Sequence, residues 1–81
     1  MKPYLQDGTC NCSGKRIHAA RAKRGWSQEQ LAAKLQLKGL DLYPQAISRI
    51  ESGKRVVPDY ELPFYANALG VRVLWLLGLE D

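Results

Sequence analysis

With 81 residues, the chain has room for one domain with a modest core, too little to enclose a large catalytic cleft. Its net charge of +4 is uneven: ten basic residues face three acidic ones over 13–55, whereas the chain from Val56 onward carries −3. The longest uncharged apolar stretch, 73–79, falls well short of the roughly 20 residues that span a bilayer, so no membrane association is expected. The opening MKPYLQDGTCNC has no apolar secretory core, which points to the cytoplasm.

Residues 1–12 are rich in turn formers and have no period, so they read as a flexible amino-terminal arm. Cys10 and Cys12 are too close for an easy mutual disulfide and read as reduced thiols. Together with His18 they give three candidate zinc ligands, where a structural site takes about four. No metal or other cofactor is therefore expected, although two such arms meeting across a dimer would supply four thiolates.

The first helix is expected over 15–24, where Ile17, Ala20 and Arg21 fall at helical spacing and Gly25 follows as a stop. His18 lies on it with no obvious orienting acid, and the chain has no nucleophile or phosphate-loop motif. It is read as an ordinary surface histidine, and neither an enzyme nor a small-molecule substrate is indicated. Ser27 and Gln30 have the spacing of a capping box at the head of a second helix, whose apolar stripe is Leu31, Ala32 and Leu35.

Pro44 suits the first turn of a third helix, in which Ala46, Ile47 and Ile50 face inward until Gly53. The intervening segment, 36–43, is long for a turn between two such helices, which usually takes about 3 to 4 residues. Leu37, Leu40 and Leu42 in it are expected to fold back on the core around Gly39, with an extra half-turn. After Pro58 and a candidate cap at Asp59, the residues Leu62, Tyr65, Ala66 and Leu69 mark a fourth helix ending at Gly70. Pro63 restricts its start to about Leu62.

Residues 71–77 are apolar nearly all round, the pattern of a fifth helix that is covered by something. Tyr60, Phe64, Tyr65 and Trp75 are expected in the core, with an interface as the alternative for some of them. Alternating patterns never extend over four residues, so the class is all-α. The domain spans 13–78, with a tail at 79–81.

RIHAARAKRGWSQEQLAAKL, AISRIESGKR and ANALGV carry a likeness that covers about 15–78. The chain resembles the phage repressor and Cro helix-turn-helix family, also called the XRE type, in a variant with an expanded turn. The resemblance implies a five-helix repressor-like DNA-binding domain whose third helix lies in the major groove. On that basis Gln45, Ser48 and Arg49 face base edges, and glutamine and arginine have the donors to read adenine and guanine there. Gln28, at the head of the second helix, and Lys54 and Arg55, after the third, match positions that approach the DNA backbone.

The resemblance also implies an ion pair between Arg21 and Glu51 that ties the first helix to the end of the third, with direct DNA contact by Arg21 as the competing reading. Lys38 and Tyr43, in the long connection, are further backbone candidates. The same outward residues would also suit a solvent face in a bundle that binds no DNA.

The function expected is a sequence-specific, double-stranded-DNA-binding transcriptional regulator, a repressor acting by operator occupancy. It would be a homodimer on a near-palindromic operator, joined through Trp75, Leu76 and Leu79. Two alternatives stay open. One is an antitoxin-like protein-interaction module with secondary DNA binding, and the other is a metal or redox sensor using Cys10 and Cys12.

Overall fold

The computed structural model describes residues 9–81, so the expectation of a flexible arm over 1–8 lies outside the described residues. Five α-helices follow one another: α1 Gly14–Lys23, α2 Gln28–Leu37, α3 Pro44–Glu51, α4 Leu62–Leu69 and α5 Val73–Leu76. A 3-10 turn, Asp59–Glu61, leads into α4. Among the described residues there is no strand, only an isolated bridge position at Thr9.

The local devices at the helix ends explain most of these boundaries. Ser27 accepts from the Gln30 N–H at 3.1 Å while the Gln30 side chain accepts from the Ser27 N–H at 2.7 Å, so two free donors at the head of α2 are satisfied reciprocally. Pro44 and Pro63 both sit in first turns, where a missing N–H breaks no intrahelical bond. At the end of α4, Gly70 adopts the left-handed conformation with φ of 71°, and Val71 N–H closes back on the Ala66 carbonyl.

The core is drawn from every element. Ile17, Leu31, Leu35, Ile47, Ile50, Tyr65 and Leu76 are completely enclosed, which places α4 at the centre with α1, α2 and α5 packed on it and α3 lodged against α1 and α2. Tyr65 brings a hydroxyl into this core, and it donates to Glu61 Oε1 at 3.1 Å. Burial first, and then the neighbouring Glu61 carboxylate, push the Tyr65 phenol well above its ordinary range. The enclosed Tyr–Glu pair is a satisfied polar bond of the kind a small core tolerates.

Several sequence expectations are corrected. The helix α2 runs on through Leu37, so the connection to α3 is residues 38–43. Leu40 and Leu42 do pack on the core, but Leu37 is 88% exposed and does not fold back. Tyr60 is exposed rather than part of the core, because it lies on the 3-10 turn ahead of α4. The fifth helix is shorter than expected: Arg72 is extended, and the helix occupies only Val73–Leu76.

Residues 9–12, which the sequence assigns to the arm, are attached to the domain. Cys10 N–H donates to the Gly53 carbonyl at 2.7 Å. The Asn11 amide donates to the carbonyls of Ile50 at 3.1 Å and Arg55 at 2.7 Å, and its oxygen accepts from Gly14 N–H at 2.7 Å. One asparagine thereby satisfies end groups of two helices at once.

Candidate nucleic-acid interface

The amphipathic spacing of α3 sets the site. Ile47 and Ile50 are fully buried, which leaves Gln45, Ser48 and Arg49 on the opposite face, where all three are exposed. They stand at i, i+3 and i+4, so their side chains share one stripe of the helix. Among the described residues none of the three makes a side-chain hydrogen bond or ion pair. Their donors and acceptors are directed only to solvent.

What holds this helix is a polar cluster at its end. Arg21 Nε donates to Glu51 Oε2 at 2.7 Å and Nη2 donates to Oε1 at 2.9 Å, a two-pronged grip between α1 and α3. The third guanidinium nitrogen, Nη1, donates to the Trp26 carbonyl at 2.7 Å. The Glu51 side chain is only 5% exposed and that of Arg21 13%. With all its nitrogens engaged inside the protein, Arg21 has little left for DNA.

Gln28 joins the cluster, its amide donating to Glu51 Oε1 at 3.2 Å. The structure thus ties the head of α2 to the tail of α3, and it gives Gln28 an intramolecular partner in addition to the backbone position implied by family likeness. His18 is not remote from an acid, as its sequence neighbours suggested. Its Nδ1 lies 2.9 Å from Glu51 Oε1 and 3.1 Å from Arg21 Nη2. A protonated Nδ1 donates to the carboxylate, and a bare one accepts from Arg21.

These contacts set the ionisation of Glu51. Burial acts to raise its pKa, but the hydrogen bonds from Arg21, His18 and Gln28, with the Arg21 charge, outweigh it and hold the carboxyl below its usual range. The same bond to Glu51 raises Arg21 against the opposing effect of burial.

The flanking cations divide. Lys38 and Lys54 are exposed and carry no ion pair among the described residues. Arg55 instead turns towards the enclosed Glu61, with Nη2 3.9 Å from Oε2, so part of its charge is used internally. Tyr43, at the N-cap of α3, is 59% exposed. Cys10 and Cys12 are free thiols. Among the described residues, no group of three or more His, Cys, Asp or Glu side chains gathers in a way that could hold a metal ion.

The residues named for a dimer contact are not equivalent. Contrary to the expectation from sequence, Leu76 is 0% exposed and packs inside its own chain, so it has no surface to offer a partner. Trp75 is partly buried with the Arg16 guanidinium 4.9 Å from its ring centre, whereas Leu79 is 71% exposed. Leu74, expected only as part of the covered apolar run 71–77, is 42% exposed.

Asn11 and the Gln28–Glu51 bond were also missed. An asparagine three positions before the first helical residue is the one local sign that a side chain there bonds the helix start.

A short α2, a connection and a short α3 with a polar outward stripe define an all-helical helix-turn-helix domain. The family model described as Helix-turn-helix matches residues 17–76. The chain belongs to that family, in its XRE or Cro-like type, and is a DNA-binding regulator of that type. No curated protein matches it. No described helix is long and apolar enough to cross a membrane.

Proposed function

We infer that the chain is a sequence-specific transcriptional repressor that acts by occupying an operator. The observation that carries this reading is the outward stripe of Gln45, Ser48 and Arg49, free of internal partners on a helix locked at its far end by Arg21 and Glu51. A helix already fixed in place presents such side chains to base edges without paying to order its backbone on binding. Lys38, Lys54 and Tyr43 supply backbone contacts that orient the domain, with Gln28 and Arg55 adding what their internal bonds leave free.

Occupancy by two copies follows from the size of the reading surface. One short helix contacts few base pairs, so a homodimer with α3 in successive major grooves, about 34 to 36 Å apart, is needed for a unique site. The exposed Leu74 and Leu79, beside Trp75, are the apolar surface offered for that contact. The corresponding cellular location is the cytoplasm.

Selection of bound sequences from a random duplex pool tests the reading. The expected result is a near-palindromic site with half-sites about one helical turn apart. A pool that shows no enrichment, from protein that instead purifies with a stoichiometric partner, would replace this reading with that of an antitoxin-like interaction module.

A further inference from the structure

No residue of α2 or α3 lines the groove of about 710 Å3 that runs between α1, the α4–α5 turn and the carboxyl-terminal tail. Its charged wall is Lys23, Arg24 and Arg72, and its apolar wall includes Trp26, Trp75 and Val71. Trp26 and Trp75 are the two tryptophans of the chain.

Arg24 is built into this wall. Its Nε donates to the Leu69 carbonyl at 3.0 Å, and its guanidinium lies 5.3 Å from the Trp26 ring centre. It also lies against Gly70, where any side chain would collide with its terminal nitrogen. Lys34 stands 4.6 Å from the same ring. The indole therefore orients cations rather than merely filling space.

The groove already shows which chemistry it accepts. At its rim the Glu80 carboxylate takes a hydrogen bond from Arg72 Nε, and the Glu80 carbonyl takes one from Arg16 at 3.1 Å. Lys23 and the terminal nitrogens of Arg24, by contrast, have no ion-pair partner among the described residues. Asp81 is the other acidic residue of the lining, and among the described residues it makes no ion pair with Lys23 or Arg24.

We propose that this groove is a binding site for a small aromatic carboxylate, with the carboxylate on Lys23 and Arg24 and the ring body against Trp75 and Val71. Exposed charges alone bind weakly in water, so affinity comes from joining the anion to an apolar body that the groove desolvates. The site is separate from the DNA-reading stripe and is tested without DNA, so its failure would leave the repressor reading untouched.

The experiment is a titration of the full chain with 1-naphthoate, followed by the indole N–H resonances of Trp26 and Trp75 in nitrogen-15 NMR. Both resonances are expected to shift saturably, with a Kd below about 1 mM, and 1-naphthylmethylammonium to leave them in place. Arg24→Ala and Lys23→Glu are each expected to weaken binding by about fivefold or more. Since Lys23 is exposed, its variant decides the matter if the Arg24 variant does not fold. Shifts that do not saturate, equal shifts with the ammonium analogue, or unchanged binding by Lys23→Glu would each overturn the proposal.

Discussion

Gly14, at the start of α1, lies so close to the carbonyl oxygen of Ile50, in the last turn of α3, that a Cβ added at Gly14 would overlap it. The obstacle is backbone, already fixed by the Asn11 amide at 3.1 Å, so it cannot swing aside as a side chain would. The two helices meet where only a hydrogen fits.

Gly14→Ala should therefore destabilise the domain, although alanine favours a helix by about 0.5 to 1 kcal/mol over glycine. The overlap costs typically about 1 to 3 kcal/mol or more and outweighs that gain. Urea denaturation checks it, the expected result being a lower midpoint with an unchanged slope. A raised midpoint would show that α1 and α3 do not meet as described.

The Glu51 cluster makes stability acid-sensitive. The folded chain holds this carboxyl below its usual range, so the unfolded chain takes up the proton first as pH falls. Its stabilising contribution is complete above the ordinary glutamate pKa of about 4.3 and is lost as pH drops through the lower, folded value. Melting temperatures of Glu51→Gln between about pH 3 and 6 should vary less than those of the native chain. At pH 7, Glu51→Ala, which strands Arg21, should cost about 3 to 5 kcal/mol.

Leu76 and Leu79 should separate folding from association. Leu76→Ala opens a cavity in the core and is expected to cost about 2 to 5 kcal/mol. Leu79→Ala removes an exposed side chain, so the monomer should keep its stability while the dimer already dissociates at a higher protein concentration. Chemical denaturation and sedimentation equilibrium measure the two effects. Equal behaviour of the two variants would mean that Leu76 is not enclosed, or Leu79 not exposed, as described.

Features set by neighbours in the chain were legible in the sequence. The Ser27–Gln30 capping box, the two first-turn prolines and the alternation of Ile47 and Ile50 with Gln45, Ser48 and Arg49 each depend on residues within a few positions. The run 71–77 was not legible in detail. A segment apolar on every side carries no phase, so nothing in it distinguishes buried Leu76 from the partly exposed Leu74 beside it. Leu37 misled for a related reason: its polarity matches that of Leu40 and Leu42, but α2 continues through it and carries it onto the outer face.

The groups converging on Glu51 were only partly foreseen. The Arg21 partnership came from family likeness, whereas Gln28 and His18 reach the same carboxylate only because three helices bring distant positions together. Asn11 likewise bonds a carbonyl 44 positions away, a separation that no local pattern encodes.

The central claim is that Arg49 reads a base while Lys54 merely holds the backbone. It is tested most directly by measuring the affinity of Arg49→Ala for the selected duplex, for its single-base variants and for a scrambled duplex, with Lys54→Ala alongside. Arg49→Ala should lose about 1 to 3 kcal/mol on the selected duplex, relax preference at one base pair and leave scrambled binding almost unchanged. Lys54→Ala should weaken all duplexes alike and reduce the salt dependence. An equal loss for Arg49→Ala on selected and scrambled duplexes would contradict the account.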